Sequence, residues 1–116
     1  MPSLNPPRVL RVLLDAQIDK KFKKSITGHC VWTARDQSLH ELQDGALLDA
    51  IQKLNFDVLV TMDKSMQFQN QLQGRSFGVI LLRAKSNRIT DLLPIVPALL
   101  LAIPDVKPGE VIEIGG

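Results

Sequence analysis

Five short apolar runs, each closed by polar residues, punctuate this chain at 9–14 (VLRVLL), 29–33 (HCVWT), 57–61 (DVLVT), 77–83 (FGVILLR) and 110–114 (EVIEI). Runs of this length, rich in valine and isoleucine, read as strands. Most lack polar alternation, so both of their faces must be covered. The run at 110–114 alternates with period two, as at a sheet edge. Helical spacing fills the gaps. Ile18 and Phe22 stand four apart in 16–24, before a break at Thr27-Gly28. Leu47, Leu48, Ile51 and Leu54 mark a helix within 43–55. A surface helix over 64–73 ends at Gly74, and an apolar helix is expected over 90–103. In that last helix Pro94 is tolerated in the first turn, whereas Pro97 introduces a kink. Strands alternating with helices imply an α/β fold with a mostly parallel five-stranded sheet, covered on each side.

At 116 residues the chain holds one domain, 1–116, with a proline-bearing lead-in at 1–7. A single cysteine excludes an internal disulfide framework. One Cys and two His cannot build a zinc site from those ligand types alone. Aromatics are 4%, too few for base-stacking platforms. No glycine-rich phosphate loop is present, and no His–acid pair supports a serine nucleophile. The start carries no secretory pattern, and the apolar stretch at 92–103 is too short to span a bilayer. The expected location is cytoplasmic, with no membrane partner and with Cys30 as a free, buried thiol.

Charge is unevenly spread. Residues 8–24 concentrate Lys20, Lys21, Lys23 and Lys24, while 36–63 concentrate Asp36, Glu41, Asp44, Asp49, Asp57 and Asp63. The lysines are either one solvated face or contacts to RNA phosphates. In parallel sheets ligands bind beyond the carboxyl ends of the strands. Asp15 follows the first strand, Asp63 follows the third, and Asp44 opens the helix leading into the third. Three converging carboxylates repel one another, and a divalent cation offsets that repulsion. Asp is also a preferred N-cap, so helix capping is the competing account of the same residues.

These residues resemble the compact PIN-like domains, related to the toxin ribonucleases of type II toxin–antitoxin modules. The similarity runs from Val9 to Ile114. It is carried by Val12-Leu13-Leu14-Asp15, by Asp44-Gly45-Ala46-Leu47-Leu48, by Val58-Leu59-Val60-Thr61-Met62-Asp63-Lys64 and by Phe77-Gly78-Val79-Ile80-Leu81-Leu82-Arg83. The resemblance implies a Rossmann-like three-layer sandwich and an Mg2+- or Mn2+-dependent endoribonuclease. It implies Asp15, Asp44 and Asp63 as catalytic metal ligands and a small antitoxin as partner. Arg83, Lys64, Ser65 and Gln17 are the expected substrate contacts, with Arg83 either steadying a phosphate or pairing with a neighbouring Asp. Ser86 and Asn87 suit phosphate binding or a turn equally. Where such domains commonly carry an acid and an Asn after the first Asp, this chain has Ala16 and Gln17. Where they carry a second acid and a Phe, it has Ser65 and Met66.

Two other readings stand beside this one. A catalytically inactive PIN-like binding module would keep the fold without the chemistry. A phosphorylation receiver would use the acid-bearing third strand and Lys107-Pro108, but it needs a paired acid where Ala16 stands. His29 and His40 have no partner legible in the sequence and receive no role. Trp32 and Phe77 are expected in the core. The leucines at 99–101 exceed what one helix face buries, which suits a homodimer or an internal helix.

Overall fold

In the computed structural model, which describes residues 9–68 and 70–115, five strands form one sheet. They are β1 (Arg11–Leu14), β2 (Cys30–Thr33), β3 (Val58–Thr61), β4 (Gly78–Arg83) and β5 (Val111–Gly115), in the order β2-β1-β3-β4-β5. Every pairing is parallel. The expected lead-in at 1–7 lies outside the described residues.

Period-two alternation divides the strand side chains between two cores. Val12, Leu14, Val58, Val60, Ile80 and Leu82 face one way, against Phe22, Leu92 and Leu99. Leu13, Leu59 and Val79 face the other, against Leu47, Leu48 and Ile51 of helix α1 (Asp44–Lys53). Covering both faces is what the unbroken apolar runs require, since an uncovered face would leave those side chains in water. β5 lies at the sheet edge, as expected, but the expected period-two alternation holds only from Ile112 onward, since Val111 and Ile112 are both half-buried.

Three expected helices take different forms. The segment 16–24 contains a 3₁₀ turn at Lys20–Ser25, not an α-helix. Its lysines would meet at i+3 and i+4 spacing on an α-helix, where like charges repel, and only Phe22 is buried. The segment 64–73 likewise forms two 3₁₀ pieces, Lys64–Phe68 and Asn70–Leu72. The third is broken by its prolines into α2 (Ile89–Leu92), a 3₁₀ turn at Leu93–Ile95 and α3 (Val96–Ala102). Pro97 has no N–H to offer the Leu93 carbonyl, so it opens a new helix instead of kinking an old one. Within the leucine run Leu99 is buried and Leu101 is 74% exposed.

Cys30 is exposed, contrary to the expected buried thiol. It is the first residue of edge strand β2, where Val31, not Cys30, turns into the core. Phe77 is buried. Trp32 is only half-buried, edge-on to Phe56 with ring centroids 5.6 Å apart. Among the described residues no helix is long and apolar enough to cross a membrane.

Candidate functional site

Strand β1 is the point from which the sheet grows in both directions, toward β2 on one side and β3 on the other. The loops leaving β1 and β3 therefore diverge and open a crevice at the carboxyl edge. The β1–β3 register pairs Leu13 with Leu59 and Leu14 with Val60. One step further, Asp15 and Thr61 come side by side. Both share the parity of Leu13 and Leu59, so both point to the α1 face.

The contacts follow from that register. The Thr61 hydroxyl donates to Asp15 Oδ2 at 2.6 Å and accepts the Asp63 amide at 3.1 Å. Thr61 is fully buried, the only polar residue in the described core. Its bonds to both acids explain its burial, because a buried hydroxyl without partners is costly. Asp15 Oδ1 accepts the Ala16 amide at 2.8 Å. Asp63 Oδ1 accepts the Ser65 amide at 3.0 Å and the Ser65 hydroxyl at 2.8 Å, leaving Oδ2 outside those bonds. Asp63 thus caps the 3₁₀ turn that follows it, and the capping account holds for this residue.

Asp44 starts α1 with φ +51°, a left-handed conformation that short polar side chains tolerate. The residue before it, Gln43, makes no side-chain cap bond. Asp15, Asp44 and Asp63 line one recess of about 310 Å³, together with Gln17 and His40. Among the described residues, no cluster of three or more His, Cys, Asp or Glu stands close enough to hold a metal ion. The acids share a cavity without forming a closed cage.

The expected substrate contacts divide. Gln17 lines the acidic recess, and its carbonyl accepts from Asn87 Nδ2 at 2.7 Å, tying the loop after β1 to the loop after β4. Ser65 is committed to Asp63. Arg83 and Lys64 line a separate recess beyond β3 and β4. Arg83 pairs with Glu113 on the neighbouring edge strand, Nε to Oε1 at 2.8 Å, and not with an Asp. Ser86 donates to Asp91 and accepts the Arg88 amide, so it shapes a turn. Lys107 precedes β5 and so lies at the amino edge of the parallel sheet, away from Asp15 and Asp63. That placement removes the lysine a receiver would need beside its acid.

Two features were not legible in the sequence. His40 belongs to no motif, yet it lines the acidic recess, and its buried Nδ1 has no hydrogen-bond partner among the described residues. His29, by contrast, accepts the Leu10 amide through Nδ1 at 3.1 Å. Arg35 joins Lys20, Lys21, Lys23 and Lys24 around a groove of about 600 Å³ that also reaches Asp15 and Ala16. Only folding brings the turn after β2 against the lysine segment. Comparison of the chain with protein-family models, with curated proteins and with solved structures finds no match to any of them.

Proposed function

We propose that the chain is a compact PIN-like three-layer sandwich acting as a metal-dependent endoribonuclease, the toxin component of a toxin–antitoxin module. The observation that carries the reading is the pair of acids at the β1/β3 crevice, where Thr61 bonds the Asp15 carboxylate and the Asp63 backbone amide, with Asp44 on the same recess. A magnesium-type ion fits this donor set better than a caged transition metal would. It takes one or two carboxylates and keeps several waters, so it does not need three protein ligands at one point. Asp15 and Asp63 would hold Mg2+ or Mn2+, with Asp44 across the recess acting through water. When bound, such an ion supplies a water nucleophile and charge neutralisation for phosphodiester hydrolysis. Thr61 fixes the orientation of Asp15 and of the Asp63 backbone, and Ser65 fixes the Asp63 carboxylate. Gln17, at the recess wall, would orient a phosphate oxygen. A small antitoxin protein would block the recess, and the exposed Leu93 and Leu101 offer a surface for a homodimer.

A non-catalytic binding module is the second reading. It is favoured by the open spacing of the acids and by the commitment of Asp63 Oδ1 to Ser65. One experiment separates the two. Purified protein is incubated with RNA in Mg2+, Mn2+ or EDTA, beside Asp15→Asn and Asp63→Asn. Cleavage that needs the ion and both acids supports the nuclease. Absence of cleavage by the folded protein in either ion turns the assignment to the binding module.

A further inference from the structure

We infer that the groove lined by Lys20, Lys21, Lys24 and Arg35 is a track for the sugar–phosphate backbone of single-stranded RNA, delivering it to Asp15. The inference rests on the nuclease reading for the identity of the polyanion. An acidic recess repels RNA, so a nuclease built around Asp15, Asp44 and Asp63 needs cations beside it. Two sides of the crevice could supply them. On the β4 side, Arg83 is paired with Glu113, which leaves Lys64 and Lys85 without an ion pair among the described residues, in a recess that shares no lining residue with the acidic one. On the β2 side, Lys20, Lys21, Lys24 and Arg35 carry no ion pair among the described residues.

The β2-side groove is also built as a unit. Buried Phe22 anchors the lysine segment to the core, and Asp19 caps it by accepting the Lys21 amide. Lys23 crosses to Asp36 at 3.0 Å, and Asp36 in turn accepts the Thr33 amide at 2.9 Å. These bonds tie the two walls together and leave the other cations facing the groove. The groove and the acidic recess have Asp15 and Ala16 in common in their linings, so they adjoin at the end of β1. The recess, of about 310 Å³, is of small-ligand size. No aromatic residue lines the groove, so recognition is of phosphates and not of base identity.

The test measures binding of the full chain to a labelled twelve-nucleotide single-stranded RNA by fluorescence anisotropy, in EDTA, across KCl concentrations. Contact with about four phosphates gives a log–log salt slope of about −3. The combined Lys20→Gln, Lys21→Gln, Lys24→Gln and Arg35→Gln variant is expected to bind more than tenfold more weakly at 50 mM KCl, with a flattened slope. Lys53→Gln with Lys107→Gln is the control and should stay within twofold of the parent. Circular dichroism verifies that each variant is folded. The track is overturned if the groove variant binds within twofold of the parent, if the parent does not bind, or if a polyglutamate peptide binds more tightly than RNA. Groove-dependent binding without cleavage in any ion would sink the nuclease and leave the track standing. Acid-dependent cleavage with unchanged groove-variant binding would do the reverse.

Discussion

Thr61 and Asp15 meet across the β1–β3 pairing, with the Thr61 hydroxyl 2.6 Å from Asp15 Oδ2, because the strand register brings them opposite one another at the carboxyl edge. Thr61→Val keeps the volume and removes the hydroxyl. Asp15 Oδ2 then loses its donor and the Asp63 amide its acceptor, at a cost of about 1–3 kcal/mol. Urea denaturation should show that loss, and Thr61→Ser should recover most of it. On the proposed nuclease reading, cleavage should fall in Thr61→Val and return in Thr61→Ser.

Asp44 separates the chemistry of the recess from helix capping. Its φ of +51° is one that alanine resists and glycine accepts. Asp44→Ala should therefore lower stability by about 1 kcal/mol, whereas Asp44→Gly should change it by only a few tenths. Both should depress RNA cleavage equally if the carboxylate serves the recess. Equal activity of Asp44→Gly and the parent would remove Asp44 from the site.

Arg11 lies over the Trp32 ring at 4.5 Å and the Phe56 ring at 5.0 Å, and it donates from Nη2 to the Leu54 carbonyl at 3.1 Å. Each stacked face contributes about 0.5–1 kcal/mol. Arg11→Ala should cost about 1–2 kcal/mol in thermal or chemical denaturation, and Arg11→Lys should rescue little of it. Lysine lacks the planar group that stacks and donates at once.

Gly78 opens β4 where the chain leading into β5 crosses closely. A Cβ there would stand 2.7 Å from both the Lys107 carbonyl oxygen and Val106 Cγ2. Because one of those atoms is backbone, Gly78→Ala must displace the β4–β5 connection, at about 1–3 kcal/mol. Amide exchange should accelerate first in β5, which pairs only with β4.

The Asp36 carboxyl is held below the usual carboxylate value, first by the Thr33 amide and then by hydrogen bonding to Lys23. A folded-state value below the unfolded one stabilises the native chain above the unfolded value. That stability is lost as pH falls through the folded one. The tie between the groove walls should thus persist at neutral pH and loosen only at a pH below the ordinary carboxylate range. Carboxyl NMR titration should place the Asp36 midpoint below that of an unstructured Asp, and Lys23→Gln should move it upward.

Much of the architecture was readable in the residues. The runs VLRVLL, DVLVT and FGVILLR have no polar alternation, and that alone demands a sheet covered on both faces. Placement of Asp15 and Asp63 just beyond two such runs brings them to the same sheet edge. The helical forms were less legible. Lysine repulsion at 20–24 and the missing N–H of Pro97 select 3₁₀ turns and a restarted helix, and spacing counts do not register either effect.

Local pattern by itself determined which segments are strands and which acids follow them, because side-chain parity and β-branching act within a few residues. Tertiary structure alone decided the strand order, the partnering of Thr61 with Asp15, the capture of Arg83 by Glu113, and the arrival of His40 and Arg35 beside the recess and groove. Those relations join residues far apart in the chain. They arise when the sheet selects a register and its loops fall on one side or the other, and no local spacing encodes that choice.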